Sequence, residues 1–314
     1  MSKRAIGIDP GFGDIKYAYR GDNGDIVTGK FSSVVAKASD KATDMPLFEG
    51  SRYYIGRTAL LRSSNDVIDL LDYQKLEQMI PIFVYETLEK TGFKPEDIDM
   101  IGSGLSFAHS EHSSSFIKRL SKFKVNGKVY DFKDKVVLLP QGVGAKYVID
   151  TALSDVPDVY MIVDIGNSTI DTVDVIEGVV RPENVHGFKD EGVVRILRNI
   201  QDIIGKKFGE QISLKEAKEV LETNSYFLEG EDHDLSSEIE VLKTDYTKIT
   251  LSTLKDRFSR EFKKYRKIYF VGGGAYYIDS SVSKVIEVLG QPEYYNAIGN
   301  LLRAENELGK NDKK

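Results

Sequence analysis

The chain has 314 residues, enough for two domains of ordinary size and close to the upper limit for a single hydrophobic core. Hydrophobic residues make up 41% and charged residues 29%, the balance of a soluble globular protein, and no apolar run approaches the ~20 residues that a membrane helix needs. With no cysteine and four histidines, disulfide scaffolds, thiolate metal sites and cysteine nucleophiles are excluded, and the net charge of −6 argues against nucleic-acid binding by bulk electrostatics.

The N-terminus enters an apolar strand after two basic residues, without the long apolar segment of a secretory signal, so the expected location is the cytoplasm. Ala5 to Asp9 ends in Asp-Pro-Gly, and Ile15 to Tyr19 resumes an extended pattern. The opening therefore reads as strand, glycine turn, strand, which disfavours dinucleotide and P-loop folds, whose glycines lead into a helix. From Phe31 to Asn65 the chain is polar and irregular with short strand candidates such as Arg52 to Ile55, and Tyr73 to Lys90 has helical periodicity interrupted by Pro81. A strand is expected at Asp99 to Leu105, a helix at Glu111 to Lys122, a hairpin turn at Asn126-Gly127, and a buried strand at Val136 to Leu139 that delivers Pro140-Gln141-Gly142. A helix then runs to about Leu153.

After the turn-rich segment Asp155 to Asp158 the opening pattern recurs. Ile162 to Ile165 again ends an apolar strand in an aspartate, with Gly166 two residues later and a second strand at Ile170 to Ile176. A duplicated hairpin implies duplicated domains, 1–153 with 293–314 and 154–292, with a small inserted subdomain at about 30–75. Helices follow at Val193 to Lys206, Leu214 to Glu222 and Ile249 to Lys264, then a strand at Lys267 to Val271 that runs into Gly272-Gly273-Gly274. The segment Asn296 to Leu308 is helical and Gly309 to Lys314 reads as a frayed end. The basic stretch from Lys255 to Lys267 reads as a solvated helix face, and His109, His112, His186 and His233 lack metal-ligand spacing.

Two glycine hairpins offer backbone N–H groups to a polyphosphate, because residues without Cβ let the main chain come close to its oxygens. Two carboxylates at the strand ends, Asp9 and Asp164, would repel each other and a triphosphate unless a cation lay between them, which suits Mg²⁺ held through water. Gly11, Phe12, Gly13 and Asp14 form the first turn, with Lys16 placed to reach the β- and γ-phosphates. Gly166, Asn167, Ser168 and Thr169 form the second. Gln141, at a strand end before Gly142, is a neutral amide able to orient a water for attack on the γ-phosphate, a weak base that implies slow hydrolysis. Gly272, Gly273, Gly274 and Ala275 allow a flat group such as adenine to lie on the peptide plane.

These pieces resemble the actin, Hsp70 and sugar-kinase superfamily: a first phosphate motif over Ile8 to Lys16, a second over Asp164 to Asp171, and an adenosine motif over Val271 to Ala275, in that order. Pro140 to Ala145 and Asn296 to Gly299 are similar to the two connecting helices, so the resemblance spans almost the whole chain. Within the superfamily the chain looks most like ParM-type plasmid-segregation actins and small archaeal actin-like proteins. The resemblance implies an actin-like ATPase fold, with two duplicated RNase H-like α/β domains around a nucleotide cleft. It also implies ATP-dependent polymerisation, with GTP as the alternative nucleotide, and hydrolysis coupled to filament instability. Expected partners are further copies of the chain and a DNA-bound adaptor, with neither direct nucleic-acid binding nor a membrane.

In the family Asp9, Asp164 and Gln141 surround the Mg²⁺ waters and the attacking water, Lys16 contacts phosphate, and Lys215 and Lys218 match a helix that contacts adenosine. Phe12 departs from eukaryotic actin, which has a hydroxyl there facing the γ-phosphate. The competing readings are a metabolic kinase of the same fold, for which no further aspartate motif is evident, and a non-polymerising nucleotide-dependent switch.

Overall fold

A computed structural model describes residues 4–62, 67–68, 70 and 72–311. The chain divides into two compact units: Met1–Val156 with Val185–Gly187 and Glu293–Lys314, and Pro157–Asn184 with Phe188–Pro292.

In the first unit, β1 (Ala5–Pro10) is buried along its whole length and pairs antiparallel with β2 (Asp14–Arg20). The chain then turns at Gly21 to Gly24 into β3 (Ile26–Ser32), a third strand of the same meander that the sequence pattern left unassigned. Alternating polar residues such as Thr28 and Lys30 hide it, because β3 lies at the edge of the sheet. The segment that reads as irregular folds into β4 (Val35–Lys37), β5 (Leu47–Phe48), β6 (Ser51–Ile55) and α1 (Arg57–Arg62), and β7 (Val67–Ile68) follows just beyond it; 63–66 lie outside the described residues. The long helix α2 (Tyr73–Thr91) is capped by Asp72, which accepts from the Gln74 and Lys75 N–H groups, and ends at Gly92 with φ of 71°.

The strand β8 (Met100–Leu105) runs parallel to β1. The helix expected from Glu111 is split into a 3₁₀ turn over Phe107–His112 and α3 (Ser113–Ser121), after which the chain passes directly into β9 (Lys122–Val125). β9 and β10 (Lys128–Asp131) form the hairpin about Asn126-Gly127. That hairpin extends the sheet begun at 35–68, through Phe48 opposite Val125, to give the order β10-β9-β5-β6-β4-β7. Such pairing between distant segments leaves no periodic trace. β11 (Val136–Pro140) and α4 (Val143–Ala152) complete this stretch, and the principal sheet has the order β11-β8-β1-β2-β3.

The second unit is built on β12 (Val159–Ile165) and β13 (Thr169–Ile176), antiparallel, followed by β14 (Val185–Lys189), α5 (Val194–Phe208) and α6 (Leu214–Thr223). A two-stranded sheet of β15 (Ser225–Leu228) and β16 (Glu231–Asp234) then leads into α7 (Ser236–Phe262). This helix starts well before the expected Ile249. Leu235, Ile239, Leu242 and Tyr246 already carry the helical spacing, but the polar residues between them mask it. β17 (Lys267–Val271) and β18 (Ile286–Val288) give the sheet order β14-β13-β12-β17-β18. The motif strands β1 and β12 thus hold the same position in their sheets, each between an antiparallel hairpin partner and a parallel strand.

Asp174 on β13 is buried, and its Oδ1 has no hydrogen-bond partner. Burial pushes its carboxyl up to about 6, Tyr265 lowers it in part and Glu261 adds to the rise. A raised carboxyl favours the protonated fold, so stability is expected to fall as pH rises from about 4 to about 6 and to stay low above that. Asp174→Asn should therefore raise the melting temperature by a few degrees at pH 8, from ~2 kcal/mol of relieved burial, and change little at pH 4. An equal shift at both pH values would exclude the carboxylate as the cause.

The final helix α8 (Tyr295–Asn311) returns to the first unit and packs on β1, β8 and α4. It continues through 309–311, which the sequence reading assigned to a frayed end; 312–314 lie outside the described residues. Glycines make the approach possible: a Cβ at Gly7 would strike the Ala297 carbonyl, one at Gly102 the Asn300 carbonyl, and one at Gly299 the Gly144 carbonyl. No helix among the described residues is long and apolar enough to cross a membrane.

Candidate functional site

The first turn, in the first unit, is closed by the Gly11 N–H donating to the Asp14 carbonyl at 3.1 Å. Ser33, just past β3, clamps it from the side: its hydroxyl donates to the Gly11 carbonyl, and its N–H donates to the Gly13 carbonyl at 3.0 Å. Phe12 and Gly13 are half-buried residues, and their N–H groups have no intrachain acceptor among the described residues. Asp9, 4% exposed, sits directly opposite Lys16 in the β1–β2 register, and the Lys16 ammonium leans back over the turn, 3.1 Å from where a Cβ on Gly11 would lie. Phe12 meets the edge of His109, which in turn stacks on Tyr73 with ring centroids 4.5 Å apart.

Gln141 comes to the same place from 132 residues away and donates from Nε2 to Asp9 Oδ1 at 2.9 Å. Its backbone continues the sheet, with its N–H donating to the Leu105 carbonyl. The next residue, Gly142, has φ of 82° and donates its N–H to Asn296 Oδ1 at 3.0 Å. Asn300 Nδ2 and Ser103 Oγ both donate to the Ile8 carbonyl at 3.1 Å, which pins the backbone immediately before Asp9. Ser33, Asn296, Asn300 and Ser103 did not emerge as site residues from the sequence, because their role is to hold the main chain of others. Asp9 Oδ1 accepts from the Gln141 amide, so it fixes that amide with its NH₂ inward and leaves Oε1 as a free-standing acceptor.

The second unit repeats the device. Gly166 donates to the Thr169 carbonyl at 2.9 Å, and Asn167 and Ser168, both half-buried, have N–H groups without an intrachain acceptor among the described residues. The carbonyls of this turn point the other way. Those of Gly166, Asn167 and Ser168 accept from Val193, Val194 and Gly192, so the turn caps the N-terminus of α5, which has no side-chain cap. Asp164 is 4% exposed and faces Asp171, 1% exposed, across the β12–β13 pair at the position that Lys16 holds opposite Asp9. Asp171 was not among the residues expected from the sequence, although the seven-residue spacing shared by Asp9–Lys16 and Asp164–Asp171 contained it. Two carboxylates opposite one another on antiparallel strands present oxygen ligands on one face of the sheet, a fit for a divalent metal held through water.

The three glycines after β17 divide their duties. Gly272, with φ of 83°, lies against the Asp164 carboxylate and the Ile165 carbonyl, and Gly274 against the Ile165 and Val193 side chains, whereas a Cβ on Gly273 would meet nothing. Two of the three are thus required by packing, and only Gly273 opens onto free space. Lys215 and Lys218 lie on α6; Lys215 is exposed and Lys218 pairs with Glu222 at 3.7 Å.

Two family models match the chain: "Actin like proteins N terminal domain" over residues 7–144 and "Archaeal actin homologue MreB-like, C-terminal" over residues 162–284. No curated protein matches it in sequence. Among solved structures, the subunit of a 15-stranded ParM filament from Clostridium botulinum is 18% identical, with a TM-score of 0.78 over 98% of this chain and 100% of that one. The archaeal actin homologue Ta0583 is 19% identical with a TM-score of 0.76 over 96% of this chain and 99% of that one. Bacillus thuringiensis ParM with ATP is 15% identical with a TM-score of 0.65 over 98% of this chain and 100% of that one. At these identities the likeness establishes the actin-like fold, and the two family models, matching residues 7–144 and 162–284, show that the chain belongs to the actin-like superfamily.

Proposed function

We propose that this protein binds and hydrolyses Mg-ATP and uses the cycle to assemble into and release itself from filaments, in the cytoplasm, for the segregation of plasmid or other DNA through an adaptor. The observation that carries the nucleotide reading is the duplicated turn: in each unit, two consecutive half-buried residues whose N–H groups have no intrachain acceptor among the described residues stand near a buried aspartate. Adjacent N–H groups of this kind form a nest for phosphate oxygens, and Lys16 adds a point charge. The filament reading is supported by the fold shared with the Clostridium botulinum ParM filament subunit.

In this reading each unit supplies one phosphate-binding turn. Phe12, Gly13, Asn167 and Ser168 hold phosphate oxygens through the main chain, with Gly11, Asp14, Gly166 and Thr169 shaping the turns. Gly273 receives the base, flanked by Gly272, Gly274 and Ala275, and Lys215 and Lys218 are its outer contacts. Asp9 in the first unit, and Asp164 with Asp171 in the second, are the carboxylates that would hold Mg²⁺ through water, and the ion would supply neutralisation of phosphate charge. Gln141 Oε1 accepts a hydrogen bond from a water and so turns its lone pair toward the γ-phosphorus. The water oxygen bonds to phosphorus as the bridging P–O bond to ADP breaks, and the water's proton leaves with the phosphate.

Right-angle light scattering tests the proposal. Mg-ATP is expected to raise the scattering of the purified protein above a critical concentration, with sedimentable filaments by electron microscopy and decay as ATP is consumed. ATP binding without assembly at any concentration or salt would instead make the protein a monomeric switch or, with phosphoryl transfer to a small molecule, a kinase.

A further inference from the structure

The β15–β16 hairpin leaves one aromatic ring outside. Its register sets Tyr226 opposite His233 and Phe227 opposite Asp232. Tyr226 and His233 pack on Phe208, with ring centroids at 5.3 and 4.8 Å, so the two-residue period turns Phe227 and Asp232 to the opposite face. Phe227 is 64% exposed there, although nothing in the hairpin's own packing calls for an aromatic residue. Glu229, Glu231 and Asp232 are exposed around it and have no ion-pair partner among the described residues.

The basic stretch singled out in the sequence lies at the other end of α7. Lys255, Arg257, Lys263, Lys264 and Arg266 are all exposed. The helical path breaks at Ser259 (φ 29°, ψ −86°), and at the break a surface hollow of about 460 Å³ is lined by Lys255, Asp256, Ser259 and Lys263. Neither lysine has an ion-pair partner among the described residues. An aromatic projection ringed by carboxylates and a hollow flanked by lysines therefore stand towards opposite ends of one helix of 27 residues, which spans about 40 Å at the α-helical rise. A single copy cannot fill its own hollow, and a contact between different patches of successive copies repeats without closing unless the rotation between them closes a ring.

We infer that the β15–β16 hairpin of one copy docks on the Lys255/Lys263 hollow of the next. Phe227 lies across the lysine stems, and Glu229 and Glu231 meet the ammonium groups. This rests on the assembly proposed above and names the surface that carries it. A nucleic acid is the other natural partner for a basic end. The second copy is favoured because the complementary acidic surface belongs to the same unit and the chain as a whole carries a net charge of −6.

The test is a charge swap read by the critical concentration for assembly in Mg-ATP. Lys255→Glu/Lys263→Glu and Glu229→Lys/Glu231→Lys are each expected to raise it at least tenfold, with unchanged nucleotide affinity. An equimolar mixture of the two variants should assemble at nearly the wild-type concentration, because each reversed hollow then meets a reversed hairpin. Rescue on mixing also shows that both variants are folded. Phe227→Ser should raise the critical concentration without altering its dependence on salt. If wild type assembles and either double variant does so equally well, or if the mixture is not rescued, this contact is wrong and the assembly proposal stands. If wild type never assembles, both fail. Retardation of duplex DNA by wild type and not by Lys255→Glu/Lys263→Glu, with assembly of that variant unchanged, would give the basic end to nucleic acid and overturn the contact.

Discussion

Replacing Gln141 with alanine is expected to slow ATP hydrolysis by about 10²-fold while changing ATP affinity by no more than about threefold. The asymmetry follows from how the side chain is held. Its Nε2 is committed to Asp9 at 2.9 Å, so Oε1 is the atom left to work, and in the function proposed above its partner is a water and not the nucleotide. Alanine removes that acceptor, yet the turn about Gly11 to Asp14 keeps its own supports from Asp14 and Ser33. Single-turnover hydrolysis measured beside equilibrium nucleotide binding separates the effects, and filaments of the variant should outlive those of wild type. Equal losses in rate and affinity would remove Gln141 from the water and make it a binding residue. Asp9→Asn offers a contrast: an asparagine can present either end to Gln141, so the amide is no longer held one way round, and Mg-nucleotide affinity is expected to fall together with the rate.

Gly299→Ala is expected to be the most damaging single substitution for stability, costing about 3 kcal/mol or more. The added methyl would fall within contact of the Gly144 carbonyl, carbonyl carbon and Cα, all main-chain atoms of α4. A clash with a flexible side chain is relieved by a rotamer change, whereas this one requires a helix to move. α8 is also tied down from the other side by its close approach to Gly7 and Gly102 and by the Asn300 hydrogen bond to the Ile8 carbonyl. Any shift would therefore be transmitted to Asp9, and to Gly142 through Asn296. Thermal unfolding followed by circular dichroism should show a loss of ten degrees or more. Gly309→Ala near the end of the same helix, where a Cβ meets nothing, should change the melting temperature by less than about one degree and serves as the control.

The aspartate-ended strands at Asp9 and Asp164, the glycine turns after them, and the strand that brings Gln141 to its position were all legible, because each is a local pattern of apolar runs stopped by turn-forming residues. Their duplication pointed to two related halves, and β1 and β12 occupy matching places in sheets of the same order. β3, the early start of α7 and the β15–β16 hairpin were not legible, since exposed edge strands and polar-faced helices carry weak periodicity.

Sequence by itself determined which residue types stand at the strand ends and turns, the carboxylates, the lysine, the amide and the glycines, each with its local chain conformation. Only the tertiary structure decided how they are held. It set Gln141 against Asp9 across 132 positions, brought Ser33 onto the first turn and Asn296 onto Gly142, and stood Asp171 opposite Asp164. It also gave Gly272 and Gly274 to packing and left Gly273 open. The physical reason is that hydrogen bonds and close approaches between distant segments depend on sheet register and helix crossing, which arise when the hydrophobic cores assemble and have no counterpart in any local window of the chain.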